Sequence, residues 1–209
     1  MHFVSETEMA AYNPQQQIAD SSAGYGEIIM LLNNKHYAQL GAIALITLMA
    51  ATRVHHFGSA LSLPDASLAV FFLMGLLSGS LWLLGFLLLE AGFVDYLAIT
   101  QFSISDWCIS PAYLFLIPTY AVMWLAGRYC SKFKTLKPAE LAMRFGVLVL
   151  ATPAAFLISN GSFYLFSGRY ADMAVGQYTQ SISQYFLPYM TGTLVYTVTF
   201  FLAGKIFRS

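Results

Sequence analysis

The sequence predicts an all-α integral membrane protein with six transmembrane helices. Its 209 residues are 58% hydrophobic and only 10% charged, and the formal net charge is zero. Soluble domains carry about 25% charged residues, so this chain has too little charge to cover a water-facing surface. Long apolar stretches separated by polar or basic segments are typical of a chain that crosses a bilayer repeatedly. The neutral net charge argues against a nucleic-acid partner.

The apolar stretches predict the helices in order. A transmembrane helix needs about 20 residues, since each residue adds about 1.5 Å. As one helix, residues 66–100 would be about 52 Å long, much longer than a hydrocarbon core about 30 Å thick. They are therefore expected to form two short helices that break at Ser78-Gly79-Ser80, where small residues permit a tight turn. The other predicted spans are residues 37–53, 111–128, 141–160 and 184–204.

The chain is predicted to divide into a polar N-terminal part and a membrane domain. Residues 1–34 are expected to be a polar tail and lead-in, and residues 35–209 the six-helix membrane domain. Residues 1–26 have neither a basic start nor an apolar core, so they lack the composition of a signal peptide.

Basic residues orient the predicted spans. They cluster between the spans 111–128 and 141–160, and basic connections face the cytoplasm. With six spans, both termini are then cytoplasmic, and the connections 54–65, 95–110 and 161–183 lie on the outer side. Five spans with an outer N-terminus fit the charges almost as well, and the length of residues 66–100 favours six. The basic cluster consists of Arg128, Lys132, Lys134, Lys137 and Arg144.

Chemically reactive side chains concentrate in or beside the predicted outer connections, whereas the inner connections carry little beyond lysine and arginine. This asymmetry predicts a site that receives a ligand from the outer side. Long connections in a compact domain tend to be functional or disordered. For any single tyrosine, an interfacial aromatic belt is an equally good explanation. The candidate residues are His55, His56, Asp95, Asp106, Trp107, Cys108, Tyr113, Asn160 and Tyr164.

Cys108 is one of only two cysteines in the chain. Cys130 is expected at the cytoplasmic end of the helix that begins near Pro111, about 30 Å from Cys108, whereas a disulfide needs Cα atoms within about 7 Å. Cys108 is therefore predicted to be a free thiol facing an oxidising compartment, where an idle thiol is a liability. A thiolate is both a nucleophile and a soft metal ligand. The alternative is a buried cysteine that acts as a small apolar side chain, which is the interpretation for Cys130.

The adjacent histidines give a weaker indication of a metal. On a helix, His55 and His56 point about 100° apart, so at most one of them can face a given ligand. The chain has no CxxC or HExxH spacing, so the indication of a bare metal ion is weak.

Two acidic residues lie in the outer half of the third predicted helix. Ionisable groups at membrane depth are costly and are usually functional or paired. Asp95, nearer the mouth, is the better site candidate, and a structural pair with Arg53 is the main alternative. Glu90 precedes Ala91-Gly92, where a neighbouring helix could approach closely.

The whole arrangement resembles the S-components of energy-coupling-factor vitamin transporters, small six-helix membrane proteins that capture a vitamin under their outer loops. The likeness covers roughly residues 35–207. It rests on small-residue spacing in the first helix (Ala38 to Ala42), a proline-led second helix (Ser62-Leu63-Pro64) and a very short link between the second and third helices.

Among these proteins, the sequence is most similar to the solitary S-components for vitamin B12, the BtuM-type cobalamin transporter family. The shared features are His56 after the first helix, Asp95 ending the third, and Cys108 followed five residues later by Tyr113. The resemblance implies that Cys108 is a cobalt ligand and that His56, Asp95 and Tyr113 line the corrinoid pocket. It also implies a multi-pass protein of the bacterial inner membrane. Further candidates for contacts with cobalamin are Asp106, Trp107, Asn160 and Tyr164.

The predicted function is therefore capture of cobalamin from the outer side and its transport inward. A thiolate on cobalt could also displace the upper ligand, cyanide included, which would make Cys108 a catalytic residue for that step. The chain has no Walker A loop, and solitary members need not have a dedicated ATPase module, so an energising partner stays open. The alternatives are a transporter for a different vitamin or metal, with Cys108 merely packed, and a membrane thiol enzyme.

Overall fold

The computed structural model describes residues 35–53, 63–102, 105–133 and 137–206, and these residues form helices and short turns without strands. The predicted tail, residues 1–34, and His56 lie outside the described residues. The turns Asp106–Cys108 and Pro111–Phe115 are 3-10 helical, and the second continues directly into an α-helix. The α-helices of the described part are α1 (Lys35–Arg53), α2 (Ser67–Leu77), α3 (Leu81–Phe102), α4 (Leu116–Cys130), α5 (Pro138–Phe166) and α6 (Val175–Ile206).

Within the described residues, three helices are long and apolar enough to cross a membrane, namely α3, α5 and the Val175–Ala203 part of α6. Large apolar side chains such as Trp82, which is 91% exposed, point outward as expected of helices in contact with lipid. The predicted all-helical class is confirmed, and the apolar helices indicate a membrane protein. With 11 residues, α2 extends only about 16 Å and is too short to cross alone. Six spans and cytoplasmic termini stay predictions.

The predicted break in residues 66–100 is confirmed. Ser78 leaves the helical conformation with φ −142° and ψ 123°, while its backbone N–H still bonds to the Met74 carbonyl at 2.8 Å. The chain then restarts as α3 at Leu81. The break therefore comes from an extended residue that turns the chain between two apolar helices.

Helix α2 lies at the centre of the described bundle, and residues 67–76 are all buried. It packs closely against α4, where two glycines let the backbones meet. A Cβ at Gly75 would collide with the Trp124 carbonyl, and a Cβ at Gly127 would collide with the Phe72 carbonyl. The small residues therefore set the distance between α2 and α4.

Several helices extend beyond their predicted ends. Helix α3 runs to Phe102, so the expectation that Asp95 ends the third helix is wrong. Helix α5 continues to Phe166 and α6 begins at Val175, which shortens the predicted connection 161–183 to residues 167–174. Hydropathy marks the part of a helix that lies in lipid, whereas backbone hydrogen bonds continue through the polar residues at its ends.

Candidate functional site

A buried arginine organises one end of the bundle, which we call the site end, where α1, α3 and α5 finish and α2, α4 and α6 begin. Arg53 is the last residue of α1 and is 1% exposed. Its guanidinium donates to both carboxylate oxygens of Asp95 at 2.8 and 2.7 Å. It also donates to the hydroxyls of Ser67 at 2.9 Å and Tyr120 at 2.6 Å. These partners lie on α3, α2 and α4, so one side chain ties four helices together.

Among the described residues, Asp95 accepts hydrogen bonds from Arg53 and from Tyr113. Besides the two bonds from Arg53, the Tyr113 hydroxyl donates to Oδ2 at 2.6 Å. A bidentate pair between guanidinium and carboxylate fixes the orientation of both groups. The sequence left two interpretations of Asp95 open, a site residue or a partner of Arg53, and the structure contains the pair with Arg53. The same residue also lines a pocket, so the two interpretations are compatible.

The start of α2 is held against the same arginine. Asp65 Oδ1 accepts from the backbone N–H of Ser67 at 2.9 Å and from its hydroxyl at 2.6 Å. The other oxygen of Asp65 lies 3.7 Å from Arg53 Nη1. The Tyr120 ring, which also contacts Arg53, stacks on Phe71 with centroids 4.3 Å apart. Two carboxylates, from Asp65 and Asp95, thus face one guanidinium.

Tyr113 reaches Asp95 because of the turn that precedes α4. Pro111 begins the 3-10 turn Pro111–Phe115, and its fixed φ suits the first position of a helix. Ala112 is buried, which seats the turn on the bundle, and Phe115 stacks on Phe166 of α5 with centroids 4.8 Å apart. The phenol of Tyr113 therefore comes from a braced segment.

Three of the predicted site residues line one pocket at the site end, which we call the Asp95 pocket. It has a volume of about 340 Å³ and lies between the last turns of α3 and the segment 106–113. Asp95 contributes a carboxylate and Tyr113 a phenol, while Asp106 adds a carboxylate from the 3-10 turn that contains Cys108. The lining residues are Gly92, Asp95, Tyr96, Ile99, Thr100, Asp106, Ile109 and Tyr113.

An apolar groove of about 730 Å³ runs between α3 and α4 from Trp82 to Tyr120. It shares Gly92 and Tyr113 with the Asp95 pocket, so the two cavities adjoin. A Cβ at Gly92 would lie 4.0 Å from the Tyr113 hydroxyl, so the glycine leaves space beside that phenol. The site end thus combines a small polar pocket with a larger apolar groove.

The turn Asp106–Cys108 is tied to a second loop at the site end. Its Trp107 backbone N–H donates to the Ser105 hydroxyl at 3.2 Å, which caps the turn. The Trp107 side chain is 49% exposed, and the Arg169 guanidinium lies over its ring, 4.0 Å from the centroid. A cation–π contact of this kind contributes about 0.5–1 kcal/mol at an exposed site. It joins the segment beside the pocket to the α5–α6 loop.

The structure does not place Asn160 and Tyr164 among the residues that line the Asp95 pocket. The Tyr164 hydroxyl donates to the Met173 carbonyl at 2.7 Å, and the Tyr178 hydroxyl donates to the Asn160 carbonyl at 2.8 Å. The rings of Tyr164 and Tyr170 each pack against Tyr178 with centroids 4.8 Å apart. In this structure, both predicted contact residues brace the α5–α6 loop.

The structure describes the backbone but not the side chain of Cys108, and it does not describe His56. The backbone of Cys108 ends the described 3-10 turn, whereas its side chain lies outside what the structure describes. Cys130, at the end of α4, is buried. Within the described ranges, no group of three histidine, cysteine, aspartate or glutamate side chains is placed to hold a metal ion.

Sequence reasoning missed Ser67 and Tyr120 as partners of Arg53. Tyr120 lies seven residues after Tyr113, a spacing that puts two helical residues on one face, and this was the available signal. Ser67 gave no signal of its own, because a serine at the start of an apolar helix is ordinarily a capping residue.

Comparison with known proteins does not assign a family. No family model matches the chain, and no curated protein is significantly similar to it. The function is therefore inferred from the residues of the site end and from the sequence resemblance given above.

Proposed function

We propose that this protein is a membrane transporter that captures cobalamin at the site end, with the Cys108 thiolate as a ligand of the cobalt ion. The observation that carries the proposal is the lining of the Asp95 pocket. Asp95, Asp106 and Tyr113 meet there, beside the turn that contains Cys108. These residues were expected from the sequence to contact a corrinoid, and they come from two separate segments of the chain.

The chemistry of the ligand matches these side chains. Cobalt in a corrinoid has axial positions that accept a nitrogen or sulfur ligand, and a thiolate is a soft ligand of this kind. The amide groups on the rim of the corrin ring need hydrogen-bond partners, which a carboxylate and a phenol supply. The apolar α3–α4 groove adjoins these polar groups, as in ligand sites where a few polar groups orient a mostly apolar surface.

The volume of the Asp95 pocket sets a condition for binding a corrinoid. A volume of about 340 Å³ is at the lower end of small-molecule sites, and a corrinoid is much larger. Binding therefore requires the site end to widen, and we propose that the turn Asp106–Cys108 separates from the α5–α6 loop. The contact between Trp107 and Arg169 joins these two segments, so we propose that it breaks when the ligand enters.

The proposal extends to the upper ligand of the cobalt. In cyanocobalamin, attack of the Cys108 thiolate on cobalt would form a cobalt–sulfur bond and release cyanide, with no change in oxidation state. The proposed setting is the bacterial inner membrane, with the site end outside and both termini in the cytoplasm. Whether an ATPase module drives release is a separate question, because capture and ligand exchange need only this chain.

The visible absorption spectrum of the purified protein tests the proposal. Protein incubated with cobalamin and then washed should keep a corrinoid absorption band, shifted by thiolate ligation. The Cys108→Ser variant should lose the shift, and Cys130→Ser, which changes the other cysteine, should keep it. A well-folded wild-type protein that retains no corrinoid would reject the proposed function. A shifted band in Cys108→Ser would reject the role of the thiolate.

A further inference from the structure

Glu90 carries a buried carboxyl group that the proposed site does not use. It lies on α3, about one and a half turns before Asp95. Both of its carboxyl oxygens are buried, and neither has a hydrogen-bond partner among the described residues. Helix α3 is one of the three helices apolar and long enough to cross a membrane. Ionisable groups in that position are costly unless they are paired or neutral, so Glu90 requires an explanation.

Arg53, the cation that interacts with Glu90, already lies close to two other acidic side chains. Arg53 interacts electrostatically with Glu90, but it donates its hydrogen bonds to the side chains of Asp95, Ser67 and Tyr120 and to the Ala91 carbonyl. Asp65 also lies 3.7 Å from the same guanidinium. An ionised Glu90 would be a third negative charge near one positive charge.

The hydrogen bonds distinguish Glu90 from the other two acids. Asp95 accepts from Arg53 and Tyr113, and Asp65 accepts from the backbone and hydroxyl of Ser67. Donors of this kind stabilise the ionised form of a carboxyl group. Glu90 has no such donor within the described part of the chain. A buried carboxyl group without a donor avoids the cost of charge burial by keeping its proton.

We propose that Glu90 is a proton-binding site whose occupancy is linked to the ion pair between Arg53 and Asp95. With the pair intact, Glu90 is a neutral carboxylic acid. When Asp95 turns from Arg53 toward a ligand in the Asp95 pocket, the guanidinium loses a compensating charge. Glu90 then releases its proton to water and becomes a carboxylate that faces Arg53. The part of this inference that involves a ligand depends on the proposed function, whereas the proton site does not.

The charged groups around Arg53 define the direction of this linkage. Among the described residues they are Asp65 before α2, Asp95 on α3, and the phenols Tyr113, Tyr120 and Tyr189, the last on α6. Loss of negative charge at Asp95 or Asp65 leaves Arg53 less compensated, which favours an ionised Glu90. Binding of a ligand to Asp95 should therefore be accompanied by release of a proton.

Infrared difference spectroscopy of the purified chain in lipid nanodiscs tests the proton site. At neutral pH, the wild-type protein should show the C=O stretch of a protonated carboxylic acid, and Glu90→Gln should lose this band. The control Asp172→Asn, which changes an exposed acid in the α5–α6 loop, should keep it. Since glutamine resembles the protonated acid in size and charge, Glu90→Gln should keep the wild-type thermal midpoint. A band of equal size in Glu90→Gln would overturn the proposal.

The linkage has its own test without a ligand. In Asp95→Asn, the pH at which the Glu90 band disappears should fall by about one unit or more, because Arg53 has lost an acidic partner. If that variant does not fold, Asp65→Asn should give a fall in the same direction. An unchanged titration would overturn the linkage.

Cobalamin added to weakly buffered protein should then release more protons from the wild type than from Glu90→Gln, because the proton that the Cys108 thiol loses on binding cobalt is common to both proteins. Bound corrinoid with equal proton release in both proteins would contradict the inference. If the protein binds no corrinoid but the infrared band of Glu90 behaves as expected, the proposed function is rejected and the proton site at Glu90 is retained.

Discussion

Replacing Arg53 by methionine should destabilise the protein more than replacing any exposed charged residue. The substitution keeps a long apolar stem and removes the guanidinium that donates to Asp95, Ser67 and Tyr120. The Asp95 carboxylate, 6% exposed, would then be buried without its cation. Removal of one partner from a buried ion pair costs about 3–5 kcal/mol. For a chain of this size, this corresponds to a fall in the thermal midpoint of about 10 °C.

This effect is measured by thermal unfolding of the purified protein, monitored by circular dichroism or by the reactivity of Cys130, which is buried in the folded protein. The matched control is Arg169→Met, which removes an exposed guanidinium and should shift the midpoint by about 2 °C or less. The double variant Arg53→Met/Asp95→Leu should recover part of the loss, because it removes the more deeply buried of the two carboxylates that face Arg53, while Asp65 remains. An Arg53→Met midpoint equal to that of the control would refute the stabilising role of the pair. A double variant as unstable as the sum of the two single changes would refute the electrostatic explanation.

Three further outcomes are expected at single positions. Gly127→Ala should lower the thermal midpoint, because its Cβ would meet a backbone carbonyl of α2, whereas Gly146→Ala, with open space around it, should not. Tyr113→Phe should cost about 1–3 kcal/mol, because it removes a donor to the buried Asp95 carboxylate, and should weaken corrinoid retention in an equilibrium dialysis assay. Trp107→Leu should leave the thermal midpoint nearly unchanged and raise the rate of corrinoid binding, measured by stopped-flow absorbance, because the contact between Arg169 and the Trp107 ring is lost. An unchanged binding rate would argue that this contact does not limit entry of the corrinoid.

The break between α2 and α3 shows what a sequence can predict. The length of residues 66–100 excludes a single membrane helix, and the small residues Ser78-Gly79-Ser80 indicate where the chain turns. Both arguments depend only on the bilayer thickness and on local turn chemistry. The structure agrees with them, since Ser78 is extended and α3 begins at Leu81.

Helix ends were predicted less well. Residues such as Gln177 and Tyr178 are polar enough to look like part of a connection, yet they lie in α6. Their backbone hydrogen bonds continue the helix beyond its most apolar part, which hydropathy does not register. For the same reason, Asp95 was placed at a helix end although it lies inside α3.

Only part of the candidate site was predicted, because different physical effects bring its residues into contact. Asp95 and Arg53 are charged residues in apolar surroundings, so composition alone suggests that they pair. Tyr120 and Ser67 join the same network through helix packing, which the order of residues does not show. Asn160 and Tyr164 carry groups suited to a ligand, but the Asn160 side-chain amide donates to the Phe156 carbonyl and the Tyr164 hydroxyl donates to the Met173 carbonyl.

The most direct test of the proposed function is the identity of the axial ligand of bound cobalt. X-ray absorption at the cobalt edge should show a sulfur neighbour in the wild-type protein loaded with cobalamin. The sulfur signal should persist in Cys130→Ser and be replaced by a nitrogen or oxygen neighbour in Cys108→Ser. Bound cobalamin with the same axial neighbour in wild type and Cys108→Ser would contradict thiolate ligation by this chain.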